Sequence, residues 1–532
     1  MNIAFGVLGG LGLFLYGVNL MGTGLQKVAG ERLKKLIEVL TNNRVMGVFV
    51  GAGVTMLIQS SSATTVMVVG FVNAGIMKLT QAIGVIMGAN IGTTVTAQLI
   101  AFKLTDVAPV VIAIGVGIWI FSSKRKNREI AEALIGFGIL FMGMDMMKDA
   151  LKPLSESQVF KDVIVSLENP VLGILVGFGL TVILQSSSAS IGLLLALASA
   201  GLIGVDIAFP ILFGDNIGTC VTALLSSIGA NKTAKRAAVM HLLFNIIGTV
   251  IFMVILRYPI EAFVTQMTDD PARQIANAHT FFNIINVLIQ LPFAGFIVYA
   301  AKKMVPGEIE QKAGLKYLDS RIIETPSIAV GQASKEVLRM GKLVLEQLKN
   351  SKEAFYNQNE KLANEVFKQE KIVNDLESDI TKYLVELSNA PLTDEQHATI
   401  TTLFNTINDL ERVGDHADNI AEFAYYRIEN KVDFSDQALD ELMDMFNQVE
   451  QAFQTSLDAF KTADTNIANR VIEYEGYIDK LEKENRSSHI DRLNKMKCNP
   501  SAGIVFLDII SNLERIADHS SNIALSILDA LK

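Results

Sequence analysis

Gln59-Ser60-Ser61-Ser62-Ala63 returns as Gln185-Ser186-Ser187-Ser188-Ala189, 126 residues further along the chain. The match runs on in both directions without a gap. Upstream, Gly47, Gly51, Gly53 and Thr55 fall on Gly173, Gly177, Gly179 and Thr181, and Gly10, Gly12 and Gly17 on Gly136, Gly138 and Gly143. Downstream, Asn90-Ile91-Gly92-Thr93 falls on Asn216-Ile217-Gly218-Thr219. Agreement over about ninety residues marks an internal duplication, with repeats near 8–100 and 134–226. Both copies lie in the first 305 residues, a series of apolar stretches rich in Gly, Ser and Thr. The first stretch, from Ile3 to about Leu25, is long enough to span a bilayer and lacks the basic start of a signal peptide.

Loop charge orients the copies, because Lys and Arg favour the cytoplasmic side. The loop from Gln26 to Arg44 carries five basic and two acidic residues; its repeat partner, Lys152 to Pro170, carries two basic and three acidic ones. The same element is therefore expected inside in one copy and outside in the other, an inverted repeat. Each arm flanking the Gln-Ser-Ser-Ser segments is about 14 residues, short of the roughly 20 needed to cross. Re-entrant hairpins near 45–78 and 171–204 follow. Full spans are expected near 4–25, 82–100, 107–121, 130–150, 208–228, 237–257 and 276–300. The amino terminus then lies outside and the carboxy-terminal part in the cytoplasm.

Polar backbone and hydroxyls inside an apolar region need protein or a water-filled cavity around them. Small residues that let helices pack closely are the plainer reading. Two symmetric copies, each followed by an Asn-Ile-Gly-Thr patch, point instead to a transport site built from half-helices. A helix N-terminus offers N–H groups to an anion, while carbonyl, Ser, Thr and Asn oxygens suit a hard cation such as Na⁺. No Lys or Arg lies near these motifs, so an anion would be held by neutral donors aided by bound cations.

The paired motifs resemble those of the type II sodium–phosphate cotransporters and their bacterial relatives, over about residues 5–300. The resemblance implies a phosphate site at Gln59, Ser60, Ser61, Ser62, Gln185, Ser186, Ser187 and Ser188. It implies sodium or site-lining roles for Thr64, Asn90, Thr93, Asn216 and Thr219. One position separates the copies: Ala89 in the first is Asp215 in the second. An intramembrane carboxylate is expensive to leave unpaired, and Asp215 is expected to bind Na⁺ or compensate its charge, a structural hydrogen-bonded acid being the alternative. Importing net negative charge against 100 mV costs about 2.3 kcal/mol per charge, so divalent phosphate calls for at least two Na⁺. Phosphate export, carriage of another oxyanion, and a non-transporting phosphate sensor remain as rivals.

A smaller echo pairs His241-Leu242-Leu243-Phe244-Asn245 with His279-Thr280-Phe281-Phe282-Asn283. The i,i+4 spacing sets His and Asn on one helix face. A buried interhelical hydrogen-bond pair is expected there in preference to a metal site.

Lys302-Lys303 and Pro306-Gly307 close the apolar region. A linker over 306–330 and a soluble domain over 331–532 follow. That domain also repeats: Leu410-Glu411-Arg412-Val413-Gly414-Asp415-His416 returns as Leu513-Glu514-Arg515-Ile516-Ala517-Asp518-His519. Leu403, Ile407, Leu410, Val413, Ala417 and Ile420 recur at helical spacing, and six helices in two three-helix sets fit the length. The whole chain is thus expected to be all-α, a polytopic membrane domain followed by a helical bundle. Glu411, Asp415 and Asp418 share one helix face. An acidic stripe is usually a solvated surface, but the repeated Glu-x-x-x-Asp-His makes a divalent or iron-type metal site plausible.

These repeats resemble the PhoU family of phosphate-signalling proteins, whose Glu-x-x-x-Asp motifs can bind metal clusters. The resemblance implies metal positions at Glu411, Asp415, Asp418, Glu475, Asp479, Glu514 and Asp518, and a phosphate-signalling partner. Ser521 stands where Asp418 has its counterpart, and Asn374 where Asp479 has one. A His-Asp phosphohydrolase is not expected, because the motif order is Asp-His and no matching upstream histidine exists. The net charge of −9, most of it in the soluble half, argues against nucleic acid. Cys220 and Cys498 lie in different halves, so no disulfide framework is indicated.

Overall fold

Among the described residues, fourteen α-helices form the first of two structural units, Met1–Gln311, and six form the second, Lys312–Lys532. The computed structural model describes residues 2–38, 43–102, 104–307, 315–323 and 325–530. In the first unit α1 (Asn2–Glu38) is followed by α2 (Arg44–Ile58), α3 (Ser61–Asn73) and α4 (Leu79–Ile100). Next come α5 (Ala108–Phe121), α6 (Arg125–Leu151), the short α7 (Gln158–Ser166), α8 (Pro170–Leu184), α9 (Ser187–Ser199) and α10 (Val205–Ser226). Then α11 (Lys232–Ile251) runs through a π-helical turn (Phe252–Leu256) into α12 (Arg257–Met267), before α13 (Pro271–Gln290) and α14 (Ala294–Met304).

The duplication is visible in the boundaries: α2, α3 and α4 start and stop 126 residues before α8, α9 and α10. Glycine explains why each hairpin lies on its partner helix. A methyl on Gly51 would collide with the Val85 carbonyl, and one on Gly88 with the Val48 carbonyl. Their repeats Gly177 and Gly214 meet the Ile211 and Ile174 carbonyls in the same way. Backbones touch there because no side chain intervenes.

The equivalent helices α1 and α6 pack antiparallel. Gly6 lies against Ala150, Gly10 against Gly143, Gly17 against Gly136 and Gly24 against Ala133. Shifting by 126 turns the Gly10–Gly143 contact into Gly136–Gly17, so the contacts exchange with one another.

Apolar side chains also face outward, as lipid demands: Phe121 is 89% exposed and Ile183 81%. Ile3–Ala29, Leu79–Ile100, Arg125–Glu156, Val205–Ser226 and Lys232–Met267 are each long and apolar enough to cross a bilayer. Three expected spans differ from the structure. The one near 107–121 is α5, 14 residues and short of a full crossing. The one near 276–300 is two helices bent by 84°, because Pro292 has no N–H for the ladder and the helix stops at Gln290. The one near 237–257 begins at Lys232 and carries on to Met267 through the π-turn. The loop expected over Lys152–Pro170 contains α7, which meets α8 at 106°.

The second unit comprises α15 (Pro326–Asn357), α16 (Glu360–Ser388), α17 (Asp394–Glu429), α18 (Asp436–Thr462), α19 (Thr465–Asn494) and α20 (Pro500–Ala530). The six helices sort into α15–α17 and α18–α20, joined where α17 packs on α20. Side-chain caps start them: Asn359, Ser435 and Asp464 accept from first-turn amides, and Thr393 and Gln396 form a reciprocal capping box. The face expected on α17 is the buried one, with Leu403, Ile407, Leu410, Val413, Ala417 and Ile420 all inside.

Candidate functional site

Each Gln-Ser-Ser-Ser segment is the turn between two short helices. Gln59 ends α2 with φ 60°, and Gln185 ends α8 with φ 52°. A glutamine in the left-handed region is costly and survives where its surroundings hold it. At the first tip the Gln59 N–H donates to Thr55 O (2.7 Å), and Thr96 Oγ1 donates to Gln59 Oε1 (2.8 Å). Gln59 Nε2 donates to the Met56 carbonyl. At the second tip Gln185 Nε2 donates to Val182 O (2.7 Å) and Thr222 Oγ1 to Gln185 Oε1 (3.3 Å). Gln59 is buried whereas Gln185 is exposed. Thr96 and Thr222, which anchor the two glutamines, are repeat-matched residues that motif reading alone passes over.

Ser60 and Ser186 then turn extended, and their Oγ atoms accept from the amides of Ala63 (3.1 Å) and Ala189 (3.2 Å). They are N-caps of α3 and α9. The caps leave the amides of Ser61, Ser62, Ser187 and Ser188 in the first turns, at the positive end of a helix dipole. Ser61, Ser187 and Ser188 are buried and Ser62 is half-buried. Such a turn is chemically suited to a tetrahedral oxyanion.

The copies part company beneath the tips. In the first, Thr55 Oγ1 donates to Thr64 Oγ1 (3.0 Å), and Thr64 donates to Ser60 O (3.0 Å). In the second, Thr181 Oγ1 and Ser190 Oγ both donate to Asp215 Oδ1, at 2.9 and 2.6 Å. Asp215 is 1% exposed, and its Oδ2 has no hydrogen-bond partner in the protein. Thr181 and Ser190 were not among the expected site residues; their repeat positions, Thr55 and Thr64, carried the signal.

The Asn-Ile-Gly-Thr segments lie within unbroken helices. Asn90 Nδ2 donates to Ile86 O (2.9 Å) and Asn216 Nδ2 to Leu212 O (2.8 Å), each one turn back on its own helix. Thr219 donates to Asn216 O (2.7 Å), while Thr93 Oγ1 is buried with no protein partner.

The His–Asn echo is not the interhelical hydrogen-bond pair expected. Neither ring nitrogen of His241 has a partner in the protein. The amides bond backbone instead, Asn245 Nδ2 to His241 O and Asn283 Nδ2 to His279 O. At i,i+4 on one helix the amide meets the carbonyl one turn back before it can reach the ring. Asn245 also reaches Cys220 Sγ on α10 (3.3 Å).

In the second unit the carboxylates gather. One oxygen each from Glu475, Asp479 and Asp518 lies within 4.8 Å of the others. Burial and mutual repulsion hold Glu475 and Asp518 above the usual carboxylate range, and Glu514 is raised by burial and by Asp518 and Asp479. The first helix set holds Asp415 and Asp418 beside Glu370, while Glu411 is raised by burial and by Asp415. Burial, with Asp415 and Asp418 nearby, pushes Glu370 up to about 7; burial and Glu422 push Asp418 up to about 6. Like charges held this close favour protonation or a bound cation. The imidazoles are used elsewhere: His416 Nδ1 pairs with Asn512 (2.8 Å) and His519 Nδ1 with Asp409 (2.9 Å), and the two rings stack.

The sequence profile of the Na⁺/Pi-cotransporter family matches residues 13–149 and 142–291, and that of the PhoU domain matches residues 337–424 and 442–527. The chain is 25% identical over 534 residues to the putative inorganic phosphate export protein YjbB of Salmonella typhimurium, covering 98% of this chain and 97% of that one. It is 30% identical over 296 residues to YqeW of Bacillus subtilis, an uncharacterized protein, covering 56% of this chain and 96% of that one. Over 99 residues it is 39% identical to the sodium-dependent phosphate transport protein 2A of Rattus norvegicus, covering 18% and 15% of the two chains. These named functions are those of transporters rather than enzymes. Two repeat-built membrane copies with twin polar tips, joined to a six-helix domain, are thus accounted for: the chain belongs to the Na⁺/Pi-cotransporter family of phosphate transporters and carries PhoU domains at its carboxy end.

Proposed function

We propose that the protein carries inorganic phosphate across the inner membrane, coupled to sodium, with its PhoU domain regulating that flux from the cytoplasm. The observation that carries this reading is the matched pair of tips. Gln59–Ser62 and Gln185–Ser188 each present a capped helix N-terminus with neutral donors, and one of them stands over a buried carboxylate. Phosphate oxygens suit the amides and hydroxyls of Ser61, Ser62, Ser187 and Ser188. Asp215 Oδ2, with Thr219 and Asn216 on the same helix, suits a sodium ion; Thr64, Asn90 and Thr93 are the corresponding lining of the first copy. The antiparallel, exchanging contacts of α1 and α6 support an inverted repeat, the arrangement that alternates access by rocking one copy against the other.

Export is the second reading, favoured by the full-length likeness to a protein named for phosphate export. Uptake of radiolabelled phosphate into proteoliposomes separates these readings. Sodium-coupled uptake requires an inward sodium gradient and falls when Ser61 and Ser187 are changed to Ala. Efflux from loaded vesicles that ignores sodium overturns the coupling.

In the PhoU domain, Glu475, Asp479, Glu514 and Asp518 are the residues that would hold a divalent or iron-type cation, with Glu411, Asp415 and Asp418 as the first set's counterparts. Carboxylate oxygens suit a hard cation, which would neutralise the mutual repulsion and tie α19 to α20. A phosphate-signalling protein is the proposed partner of this domain. Deleting residues 307–532 is expected to alter the control of flux and leave sodium-driven flux in place.

A further inference from the structure

One short stretch of α11 holds both the end of the first hairpin and the start of the chain that leads to the PhoU domain. α3 carries the first tip at its N-terminus and ends at Asn73, where the α-helical ladder leaves the last carbonyls open. Asn231, the N-cap of α11, meets that end twice: its N–H donates to Asn73 Oδ1 (2.8 Å) and its Nδ2 to Asn73 O (2.8 Å). Asn231 Oδ1 accepts from the Ala234 amide (2.9 Å), so the same side chain starts one helix and closes the other. Ser199 holds the place of Asn73 in the second copy and lacks the amide that makes this pair.

Arg236 lies five residues beyond Asn231, about 7.5 Å along the helix, and is 7% exposed. Its Nε donates to Val305 O (3.0 Å) and its Nη2 to Gly307 O (2.6 Å), just past the end of α14. A buried guanidinium is costly to leave without these partners. Gly307 has φ 112°, a conformation that favours glycine, and a methyl on it would collide with Lys232 Nζ.

The second unit begins at Lys312. Its opening segment is held in turn: the Lys316 and Tyr317 amides donate to the buried Glu336 carboxylate, and Leu318 and Ile322 are buried. Residues 308–315, at most about 30 Å of chain, separate the two anchors.

α11 is unbroken from Lys232 to Ile251, and α3, buried at ten of its thirteen residues, packs on α4, α10 and α11. A shift at either helix end therefore moves a packed body rather than a loose loop, and such bodies carry energy between distant places. We propose that the PhoU domain controls the first tip by this path: from the chain at Val305–Gly307 to Arg236, along α11 to Asn231, across to Asn73, and through α3 to the amides of Ser61 and Ser62. This route rests on the regulatory reading above. Arg236, Asn231 and Asn73 are positioning residues, and control falls on the first hairpin.

The test uses the full-length chain with a site-specific protease sequence inserted between Gln311 and Lys312, reconstituted so that the PhoU domain faces added protease. Radiolabelled phosphate flux is measured before and after cleavage in wild type, Arg236→Gln and Asn73→Ser, the last taking the residue of the second copy. Cleavage should change the KM or the maximal flux of wild type at least about fivefold, the lower end of allosteric coupling. Arg236→Gln and Asn73→Ser should already show the cleaved wild-type values, and cleaving them should change nothing further. Either variant carries the test if the other fails to insert. Cleavage that shifts both variants as much as wild type overturns the route and leaves regulation to another contact, Arg236 then being a structural anchor only. Cleavage that shifts none of the three, with flux intact, overturns the regulatory reading and the route with it.

Discussion

The two copies of the membrane repeat place α2, α3 and α4 and α8, α9 and α10 at matching boundaries, and both turn their hairpins on a left-handed glutamine. Under the first tip a hydroxyl bonds a hydroxyl, Thr55 to Thr64; under the second, Thr181 and Ser190 both bond Asp215. Ala89 and Asp215 occupy the same place, as do Thr64 and Ser190, so two side-chain differences turn a self-satisfied polar pair into a cradle for a carboxylate. Duplication supplied the scaffold twice, and divergence at these positions put a buried carboxylate under one tip only.

Removing that difference has the largest expected effect. Asp215→Asn keeps the size and lets Thr181 and Ser190 go on donating to an oxygen, but it takes away the charge. On the sodium reading, sodium-driven phosphate flux in proteoliposomes falls about a hundredfold or more, the scale of losing a buried charge partner. Unchanged sodium dependence would show that Asp215 is a structural acid only. Next in size is the reciprocal change. Ala89→Asp in the Asp215→Asn background offers a carboxylate to the Thr55 and Thr64 hydroxyls, and about a tenth of the lost sodium-driven flux should return. A folded double variant without any return would mean that this one residue alone does not make the difference.

The glutamines sharpen the comparison further. Gln59 is buried and held by Thr96 at 2.8 Å, whereas Gln185 is exposed and held by Thr222 at 3.3 Å. Truncating the first leaves a buried hydroxyl unpaired and should lower stability by about 1–2 kcal/mol. Truncating the second should cost less than about 0.5 kcal/mol, because water replaces the lost bond. Thermal unfolding of Gln59→Ala and Gln185→Ala in one detergent checks the order.

The hairpins and their boundaries were legible because the repeat is gapless, and arms of about 14 residues cannot cross a bilayer. The acid at 215 was legible because its repeat partner is an alanine. What holds that acid was not: Thr181 and Ser190 lie 34 and 25 residues from Asp215, and the glycine-mediated contact of α8 with α10 brings the first to it while the packing of α9 on α10 brings the second. The break at Pro292 is not legible in the hydropathy, which is continuous across it. The i,i+4 spacing places His and Asn on one face of α11 and of α13 and so suggests a hydrogen-bonded pair. It does not reveal that each amide turns back to its own helix.

The second unit carries its own paired comparison, and the smallest expected effect. The first helix set buries Glu370 beside Asp415 and Asp418, with a pKa raised to about 7, whereas the second set leaves Glu475 more open and raised by a smaller shift. A carboxyl whose folded pKa lies above its unfolded value holds a proton in the native state that the unfolded chain has released. Its stability contribution is therefore greatest below the ordinary carboxylate pKa and declines as pH rises toward 7. In metal-stripped full-length protein, the unfolding transition of the PhoU domain should weaken by about 1–2 kcal/mol between pH 4.5 and 7.5, after allowance for solvent screening at a partly open site. Glu370→Gln should flatten that slope, because the amide cannot ionise, and Glu475→Gln should flatten it less. Added Mn²⁺ should restore stability at pH 7.5 in wild type, since a cation relieves the same repulsion that protonation relieves at lower pH. An equal slope in wild type and Glu370→Gln would place the pH sensitivity elsewhere in the acidic face.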